Sequence, residues 1–457
     1  MKRVAATRAL ATIGLAGLAT CSRPANPEPV VVAIPVYNPP ADSQPTMRRA
    51  PDAPTRRPMT GPPVRVGVRD VGDTTIRILL STKQTTVRIA APGHIEFVDR
   101  VGNLLTSGAT DGSQSPVWRI ENEGRRVRVV RPNGAVSPWT DGALIARSGD
   151  AGLLSVGGKP YRGTIVVYGS DGGMNVVNVA RIDDYLRGVV PLEIGTTSRD
   201  DSAAVQAQAV TARSYAYIHL TPNRYYDVTG GTLDQVFGGV AAETAVGSEA
   251  VESTRALVLQ YAGRIVNAPY SSTCGGRTAA ASEIWRSDDE PYLQSVSDQI
   301  PGTDRYYCDI APRFRWSRTL GGPQLNAALA QYLANYVSVP GRRAGVAQSV
   351  VIGSRTPSGR VGTLIVTTDR GRFTLRGNDI RYVMRPPGGE ILNSTYFSVG
   401  ATTASDGAIA KLTLTGTGYG HGVGMCQWGA IGRARAGQDF RTILRTYYPG
   451  TTVGPPE

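Results

Sequence analysis

The feature that most constrains this chain is a run of five glycines at alternate positions between Gly416 and Gly424, which encloses His421. Glycine contributes no side chain to a hydrophobic core, and it adopts backbone conformations that other residues rarely reach. The run therefore predicts a tight turn with exposed backbone. Gln427 follows closely, and we expect His421 and Gln427 to be held together at the start of a helix.

A second cluster, Tyr185 to Gly195, predicts a strand that ends in a turn carrying one carboxylate, Glu193. If Leu192 and Ile194 exclude water from this carboxyl group, its pKa rises and it holds a proton near neutral pH. The segment taken alone leaves a second interpretation open, in which Glu193 is a solvated loop residue.

A third cluster, Tyr270 to Thr278, combines hydroxyl groups, two adjacent glycines and Arg277, with Trp285 a little further on. Adjacent glycines let backbone N–H groups approach a ligand closely, and hydroxyl, guanidinium and aromatic groups suit a sugar. This cluster therefore predicts a sugar-binding loop. A glycine-rich hairpin turn without a ligand is the alternative.

Secondary structure signals predict a strand-rich α+β fold. Short alternating segments between turn residues predict strands from Val64 to about Ser170. Small apolar residues at helical spacing predict a helix from Ala203 to Leu220, started by Asp200, Asp201 and Ser202. Further helices are predicted at 248–256, 323–337 and 440–448, and further strands at 256–261, 264–270, 346–353, 362–368, 372–376 and 408–415.

The N-terminal segment predicts export. A basic start is followed by an uncharged run from Ala9 to Thr20, which is too short for a permanent membrane helix. Leu18 to Cys21 resembles the lipobox of bacterial lipoproteins, in which the cysteine carries the lipid; cleavage at an ordinary signal-peptidase site is the alternative. Twelve prolines between Ser22 and Pro63 predict an extended tether. We therefore expect a lipoprotein of the periplasm or cell envelope, held to the membrane by this anchor.

Charge and motifs exclude several functions. The 49 basic and 36 acidic residues give a net charge of +13, which favours an anionic wall or membrane surface. Nucleic acid is not expected, because no basic run forms a continuous patch. The chain has no Gly-x-Ser-x-Gly, His-Glu-x-x-His or Walker lysine motif. Its three histidines, His94, His219 and His421, are too few and too scattered for a histidine-based zinc site.

Taken together, the clusters resemble the SpoIID/LytB family, named for stage II sporulation protein D. The resemblance spans Val64 to Val453, and its most specific motifs are Gly420 to Ala430 and Ala207 to Ala216. The matching segments are 188–193, 207–216, 272–278, 291–293, 420–430 and 447–451. The implied organisation is a signal peptide (1–20), a proline-rich linker (21–63), a β-rich part (64–157) and a two-lobed catalytic domain (158–453).

Proteins of this family are lytic transglycosylases that cleave peptide-free peptidoglycan strands to 1,6-anhydro-muramic products, or enhancers of cell-wall amidases. The resemblance thus implies an enzyme acting on glycan strands, with a non-catalytic amidase enhancer as the alternative. The family's catalytic glutamate matches Glu193, in Val190 to Ile194. No cofactor is expected, and substrate contacts are predicted for Arg213, Gln235, Ser272, Thr273, Arg277, His421 and Gln427.

The cysteines depart from the family pattern. Zinc-containing members carry Cys and His in the segment matching 226–237, where this chain has neither, so no metal is predicted. Cys274 and Cys426 stand where the family often has serine. In an oxidising compartment these two and Cys308 would form one disulfide and leave one free thiol. The pair Cys274–Cys308 is favoured, and Cys274–Cys426 is the alternative.

Overall fold

The computed structural model describes residues 74–109, 116–149, 152–222, 224–231 and 234–456. The predicted signal peptide, the proline-rich linker and the lipidation residue Cys21 lie outside these residues and stay predictions. Among the described residues, no helix combines the length and the apolar character needed to cross a membrane. Strands outnumber helices, and the predicted strand-rich α+β class is confirmed.

The first part of the described chain is a pair of mainly antiparallel sheets. Its strands are β1 (Thr75–Gln84), β2 (Val87–Ala90), β3 (Ile95–Asp99), β4 (Leu104–Gly108), β5 (Trp118–Glu123), β6 (Arg126–Val130), β7 (Thr140–Asp141), β8 (Ala143–Ser148), β9 (Leu153–Val156), β10 (Lys159–Arg162), β11 (Thr164–Ser170) and β12 (Gly173–Arg181). With β13 (Val228–Thr229), one sheet has the order β13-β1-β12-β11-β8-β3-β4 and the other β10-β9-β2-β5-β6-β7. Alternate residues of both sheets face each other in one apolar layer, which is how a β-sandwich buries its core.

The predicted boundary between residues 157 and 158 falls inside this sandwich. Residues 157 and 158 form the turn of a hairpin whose strands, β9 and β10, pair over four residues from Leu153↔Arg162 to Val156↔Lys159. Beyond it, β12 pairs with β1 along most of its length. The described residues are not divided at this position, because strands on both sides of it share two sheets and one core.

All the α-helices of the described residues follow β12. They are α1 (Ile182–Arg187), α2 (Val190–Ile194), α3 (Ser202–His219), α4 (Ala245–Ser253), α5 (Ala281–Ile284), α6 (Gly322–Tyr332), α7 (Asp379–Val383), α8 (Gln427–Arg435) and α9 (Phe440–Tyr447). Short 3-10 turns lie at Arg199–Asp201, Gly239–Ala242, Tyr307–Ile310, Leu333–Asn335 and Pro340–Arg342. The strand predicted over 185–195 is wrong, since the chain forms α1 and α2 there. Pro191 is tolerated in the first turn of α2, where its missing N–H has no helical partner in any case.

Helix α3 is the centre of the largest hydrophobic cluster. It was predicted over 203–220 and is buried on nearly all sides, with α1, α2, α4, α8, α9 and β14 (Val258–Tyr261) packed around it. Small residues such as Ala209 and Ala212 let these neighbours approach closely. Its N-cap, Asp201, makes no capping bond with its side chain, contrary to the expected role. Instead, the Asp201 carboxylate accepts hydrogen bonds from Arg435 and Thr196.

The remaining strands complete the C-terminal half. They are β15 (Arg264–Ile265), β16 (Tyr270–Ser271), β17 (Arg315–Gly321), β18 (Ala347–Arg355), β19 (Val361–Thr368), β20 (Gly371–Arg376), β21 (Phe397–Thr403), β22 (Ile409–Thr417), β23 (Met425–Cys426) and β24 (Thr452–Gly454). The sheets β17-β22-β21 and β18-β19-β20 enclose a separate cluster with α6 and α7. The single strand predicted over 264–270 is two short strands in the structure, since β15 ends at Ile265 and β16 begins at Tyr270.

Candidate active site

Strands β16 and β23 bring two of the three sequence clusters together. They pair in parallel, with Tyr270 opposite Met425 and Ser271 opposite Cys426. Beyond the strands, Thr273 and Tyr419 exchange two backbone hydrogen bonds of 3.0 and 2.8 Å. Tertiary pairing of segments about 150 residues apart therefore forms one continuous loop surface.

The alternating glycines make this pairing sterically feasible. Gly420 has φ +119°, and a Cβ there would lie 2.6 Å from the Cβ of Ser271. Gly424 has φ +68°, and a Cβ there would collide with the carbonyl oxygen of Pro269. The glycine run is thus required by close backbone contact between the two clusters, as well as by its left-handed conformations.

Glu193 belongs to the remaining cluster, Tyr185 to Gly195. It lies in α2, which ends at Gly195 in the left-handed conformation. Its Oε1 accepts the backbone N–H of Val236 at 2.8 Å. Burial raises the pKa of the Glu193 carboxyl to about 7, although the Val236 hydrogen bond opposes the shift. Of the two interpretations of Glu193, the structure therefore agrees with the desolvated carboxyl group rather than the solvated loop residue. Both protonation states of this group are populated near neutral pH.

Gln427 holds the backbone of Glu193. Its Nε2 donates to the carbonyl oxygen of Glu193 at 2.8 Å and to Oε1 of Gln208 on α3 at 3.2 Å. Gln427 is 6% exposed and begins α8, as the sequence predicts. This bond connects the glycine-rich cluster with the glutamate cluster, so Gln427 positions Glu193 through the main chain.

Two buried tyrosines and Gln235 lie on the other side. Tyr185 donates its hydroxyl to Oε1 of Gln235 at 3.2 Å, and Gln235 Nε2 donates to the hydroxyl of Tyr270 at 2.9 Å. Burial raises the pKa of both tyrosines well above the usual range, and the nearby Glu193 charge contributes to the shift. Both phenols therefore stay neutral beside Glu193. Gln235, predicted to contact substrate, is 1% exposed and orders this pair of phenols.

His421 has both ring nitrogens engaged with the main chain. Nδ1 accepts the N–H of Val423 at 3.1 Å, which assigns the proton to Nε2, and Nε2 lies 2.8 Å from the carbonyl oxygen of Tyr270. Burial, together with the charge of nearby Arg381, lowers the pKa of His421 to about 3. His421 is thus a neutral connector of the two loops, and neither nitrogen is free for a ligand in this structure.

The other predicted substrate contacts are placed differently. Arg213 is 1% exposed; it forms an ion pair with Asp183 at 2.9 Å and donates to the carbonyl oxygens of Val251 and Leu257. The structure does not bring Arg213 to a surface where a glycan could reach it. The local motif identified the residue but not its direction, which α1 and α4 determine.

Three further predicted contacts lie on the loop that follows β16. Arg277 is exposed, with one long contact of 3.5 Å to Ser295. Ser272 is half-buried, and its carbonyl oxygen accepts the N–H of Trp428 at 3.0 Å. The hydroxyl of Thr273 is buried without a hydrogen-bond partner. Of these three, Arg277 is the most accessible to a ligand.

The three cysteines of the described chain are also gathered, and all three are free thiols. The Sγ atoms of Cys274 and Cys308 are 3.6 Å apart, so the favoured disulfide is not formed in this structure. Cys426 and the carboxylate of Asp298 complete a group of four potential metal ligands. The prediction of no metal considered only segment 226–237 and the histidines, and it missed this group.

Two surface depressions are found elsewhere on the described part of the chain. One lies on the loop from Ser297 to Asp304, and the other lies between β2 and β5, beside Arg88 and Arg119. Neither is lined by Glu193. The Glu193 site is distinguished instead by its chemistry, namely a desolvated carboxyl group close enough to the neutral phenols of Tyr185 and Tyr270 to affect their pKa, with its main chain held by Gln427.

Several residues that shape these sites carry little or no signal in the sequence. Tyr185 and Tyr270 were recognised only as the ends of two clusters, and Val236 acts through its main chain, which carries no side-chain signal. Asp298 lies in a polar loop without any motif. Each of them is held in place by a contact with a residue more than 20 positions away in the sequence.

Comparison with known proteins supports the resemblance. The family described as stage II sporulation protein matches residues 170–261, a segment that includes Glu193, α3 and Gln235. A second family, described as a domain of unknown function, matches residues 304–424, which include the sheets around α6.

Curated relatives extend the match to about two thirds of the chain. An uncharacterized protein of Brachyspira hyodysenteriae is 32% identical over 66% of this chain and 74% of its own length. The amidase enhancer of Bacillus subtilis is 30% identical over 66% of this chain but only 45% of its own length. Stage II sporulation protein D of Bacillus subtilis is 28% identical over 60% of this chain and 74% of its own length. The chain therefore belongs to the SpoIID/LytB family.

Proposed function

We propose that this protein is a peptidoglycan lytic transglycosylase that cleaves glycan strands whose stem peptides have been removed. Membership of the SpoIID/LytB family associates the chain with the cell wall. The observation that carries the finer proposal is that burial raises the pKa of the Glu193 carboxyl group to about 7. A single group with this pKa can donate a proton and then accept one near neutral pH.

In the proposed reaction, protonated Glu193 donates its proton to the glycosidic oxygen as the bond from that oxygen to C1 of muramic acid breaks. The resulting carboxylate accepts the proton of the C6 hydroxyl of the same sugar. The C6 oxygen bonds to C1 and closes the 1,6-anhydro ring. Glu193 thereby regains its proton, and no water is consumed. This use of one carboxyl differs from ordinary glycosidases, which employ two.

The surroundings of Glu193 suit this role. The Val236 N–H occupies Oε1, and among the residues that the structure describes no hydrogen bond reaches Oε2. Oε2 is therefore the oxygen that would carry the mobile proton. No ion pair to Glu193 is found among the described residues either, and a nearby cation would lower its pKa and remove its proton.

The test uses purified glycan strands from which an amidase has removed the peptides. The wild-type protein alone is expected to release fragments with 1,6-anhydro-muramic ends, measured by mass spectrometry, and Glu193→Gln is expected to release none above background. Glu249→Gln is the matched control, because Glu249 is 56% exposed and pairs with Arg199 on the surface. Wild-type activity in Glu193→Gln would refute the assignment.

The relative named amidase enhancer favours a second function, in which the same surface binds glycan and stimulates an amidase without cleavage. For this function, the protein alone would release nothing from denuded glycan. Adding it to a cell-wall amidase on intact peptidoglycan would raise the amidase rate equally with wild type and Glu193→Gln. That pattern would replace the enzymatic proposal.

A further inference from the structure

Four ligand-type side chains from four separate segments converge next to residues of the candidate active site. They are Cys274 after β16, Asp298 in a loop, Cys308 in a 3-10 turn and Cys426 at the end of β23, and each is 0% exposed. One ligand atom from each lies within 4.8 Å of all the others. We call these four residues the cysteine cluster.

We propose that the cysteine cluster binds one zinc ion in a closed, tetrahedral site of three thiolates and one carboxylate. Bonds of about 2.3 Å from zinc to sulfur imply a sulfur-to-sulfur edge of about 3.8 Å. The Sγ atoms of Cys274 and Cys308 are 3.6 Å apart, and Cys274 Sγ lies 3.8 Å from Oδ2 of Asp298. Thiolate sulfur and carboxylate oxygen are both zinc ligands, three thiolates occur in many structural zinc sites, and a closed site is typical of structural rather than catalytic zinc.

The residues around Asp298 orient its carboxylate toward the thiols. Its Oδ1 accepts the hydroxyl proton of Tyr447 at 2.6 Å and an N–H of Arg433 at 3.2 Å. Oδ2 is the oxygen that faces Cys274. Partners that hold the far side of a ligand in this way are a regular feature of metal sites, because they fix the ligand's direction.

Cys426 has donors that suit a thiolate. Its Sγ accepts the N–H of Cys274 at 3.1 Å and the N–H of Gly429 at 3.3 Å. The second donor lies in the first turn of α8, whose nine residues place the positive end of the helix at this sulfur. Backbone N–H groups and a helix N-terminus both favour the deprotonated form that a metal requires.

The charges around the cysteine cluster also balance. Three thiolates and one carboxylate carry four negative charges, and zinc offsets two of them. Two buried guanidinium groups offset the rest: Arg433 pairs with Asp298 at 3.2 Å, and Arg360 donates to the carbonyl oxygen of Cys274 at 2.7 Å. A buried site with no net charge avoids the large cost of an uncompensated ion.

The inferred zinc would hold together the two glycine-rich loops of the candidate active site. Cys274 follows Ser272 and Thr273 by one or two residues, and Cys426 directly precedes Gln427, which holds Glu193. A metal at this point would connect the loop after β16 with the start of α8. Its role would be structural and independent of whether Glu193 cleaves glycan.

The first experiment measures zinc in the full-length protein purified without chelator, by elemental analysis. We expect close to one zinc per chain. Reduced apoprotein is then titrated with zinc alone, which should raise its melting temperature, and with cobalt alone, which should produce the intense visible bands of tetrahedral cobalt-thiolate coordination. These readouts use the wild-type protein and do not depend on a variant that folds.

Variants identify the ligands. Cys308→Ser and Asp298→Asn should weaken zinc binding more than about 100-fold, and Tyr447→Phe about 10-fold, because it frees the far side of Asp298. Cys21→Ser and Asp309→Asn are the matched controls and should leave binding unchanged; Asp309 adjoins Cys308 but pairs with exposed Arg305.

Two results would overturn the proposal. One is a reduced wild-type protein that gains neither zinc nor thermal stability on titration. The other is a native protein without metal whose intact mass and thiol count show a disulfide among Cys274, Cys308 and Cys426, with no zinc binding after reduction.

Discussion

Glu193 and Asp298 are both held in the core around α3, and their surroundings differ. Asp298 has a tyrosine hydroxyl and a guanidinium on one oxygen and thiols beside the other. Glu193 has one backbone N–H and no ion pair among the described residues. Burial raises the pKa of both carboxyl groups, but only at Asp298 do a tyrosine hydroxyl and a guanidinium oppose the rise. The Asp298 carboxyl is therefore tied to its neighbours, whereas the Glu193 carboxyl has no cation beside it and keeps a proton that it can exchange.

The largest effect on activity is expected from a substitution that removes the exchangeable proton of Glu193. Glu193→Gln should lower the release of anhydro-muramic ends by about 10²–10⁴-fold, the usual contribution of general acid–base catalysis. In the wild type, activity requires protonated Glu193, so the rate should be constant below about pH 6 and fall tenfold per pH unit above about pH 7. Because the pKa of His421 is about 3, His421 should contribute no step to the pH profile between pH 5 and 8. A rate that rises through pH 8 would contradict this role for Glu193.

The next largest effect is expected at the ion pair between Asp298 and Arg433. Asp298→Ala would leave the Arg433 guanidinium, 8% exposed, without its counter-charge. We expect a loss of about 3–5 kcal/mol in the free energy of unfolding, as for other broken buried pairs. Urea denaturation with reductant and chelator present measures this loss without a metal contribution. Asp309→Asn is the control, and a loss below about 1 kcal/mol for Asp298→Ala would show that the pair is unimportant.

A smaller effect of opposite sign is expected for Glu193→Gln on stability. The folded pKa, about 7, is above the ordinary value of 4.5, so the folded protein binds the proton more tightly than the unfolded chain. Stability from this group is therefore complete below about pH 4.5 and is lost as the pH rises through 7. Glutamine removes that loss, so the variant should gain at most about 3 kcal/mol at pH 8 and nothing at pH 4. Equal melting temperatures of variant and wild type at pH 8 would argue against a desolvated Glu193.

The smallest effect tests the bond that joins the two sites. Gln427→Ala removes the 2.8 Å bond to the Glu193 carbonyl oxygen and a donor to Gln208. We expect a loss of about 1–3 kcal/mol in the free energy of unfolding, from buried acceptors without donors. We also expect a fall in kcat at unchanged pH profile. The control is Gln206→Ala, on the exposed side of α3. A changed pH profile in Gln427→Ala would mean that Gln427 acts on the carboxyl itself.

Local signals predicted the long elements well. Helix α3 was expected over 203–220 and spans Ser202–His219, because small apolar residues at helical spacing and Pro222 beyond its end act within the segment itself. Helix α4 begins earlier than expected, at Ala245, because the hydroxyl of Thr244 accepts the Gly247 N–H and starts the helix there. A threonine is a common N-cap residue, so Thr244 is the sequence signal that could have placed the start of this helix.

The direction of a side chain and the burial of its polar group could not be predicted from local signals in the same way. Arg213 belongs to a recognised motif, yet Asp183, 30 residues earlier in the chain, draws it into the interior. Glu193 was identified by its motif, whereas its desolvation depends on segments that arrive from elsewhere, including Val236, 43 residues later. Asp298 carried no signal, since a single aspartate in a polar loop is normally solvated.

The sequence by itself determined the family, the strand-rich α+β class, the central helix α3 and Glu193 as the candidate acid. These follow from glycine patterns, helical spacing and motifs that depend on neighbouring residues. Only the tertiary structure decided that Glu193 is held by Gln427, that His421 and Arg213 serve the fold, and that Asp298 joins three thiols. The physical reason is that desolvation and convergence of side chains depend on atoms from segments up to 234 residues apart, which no local pattern encodes.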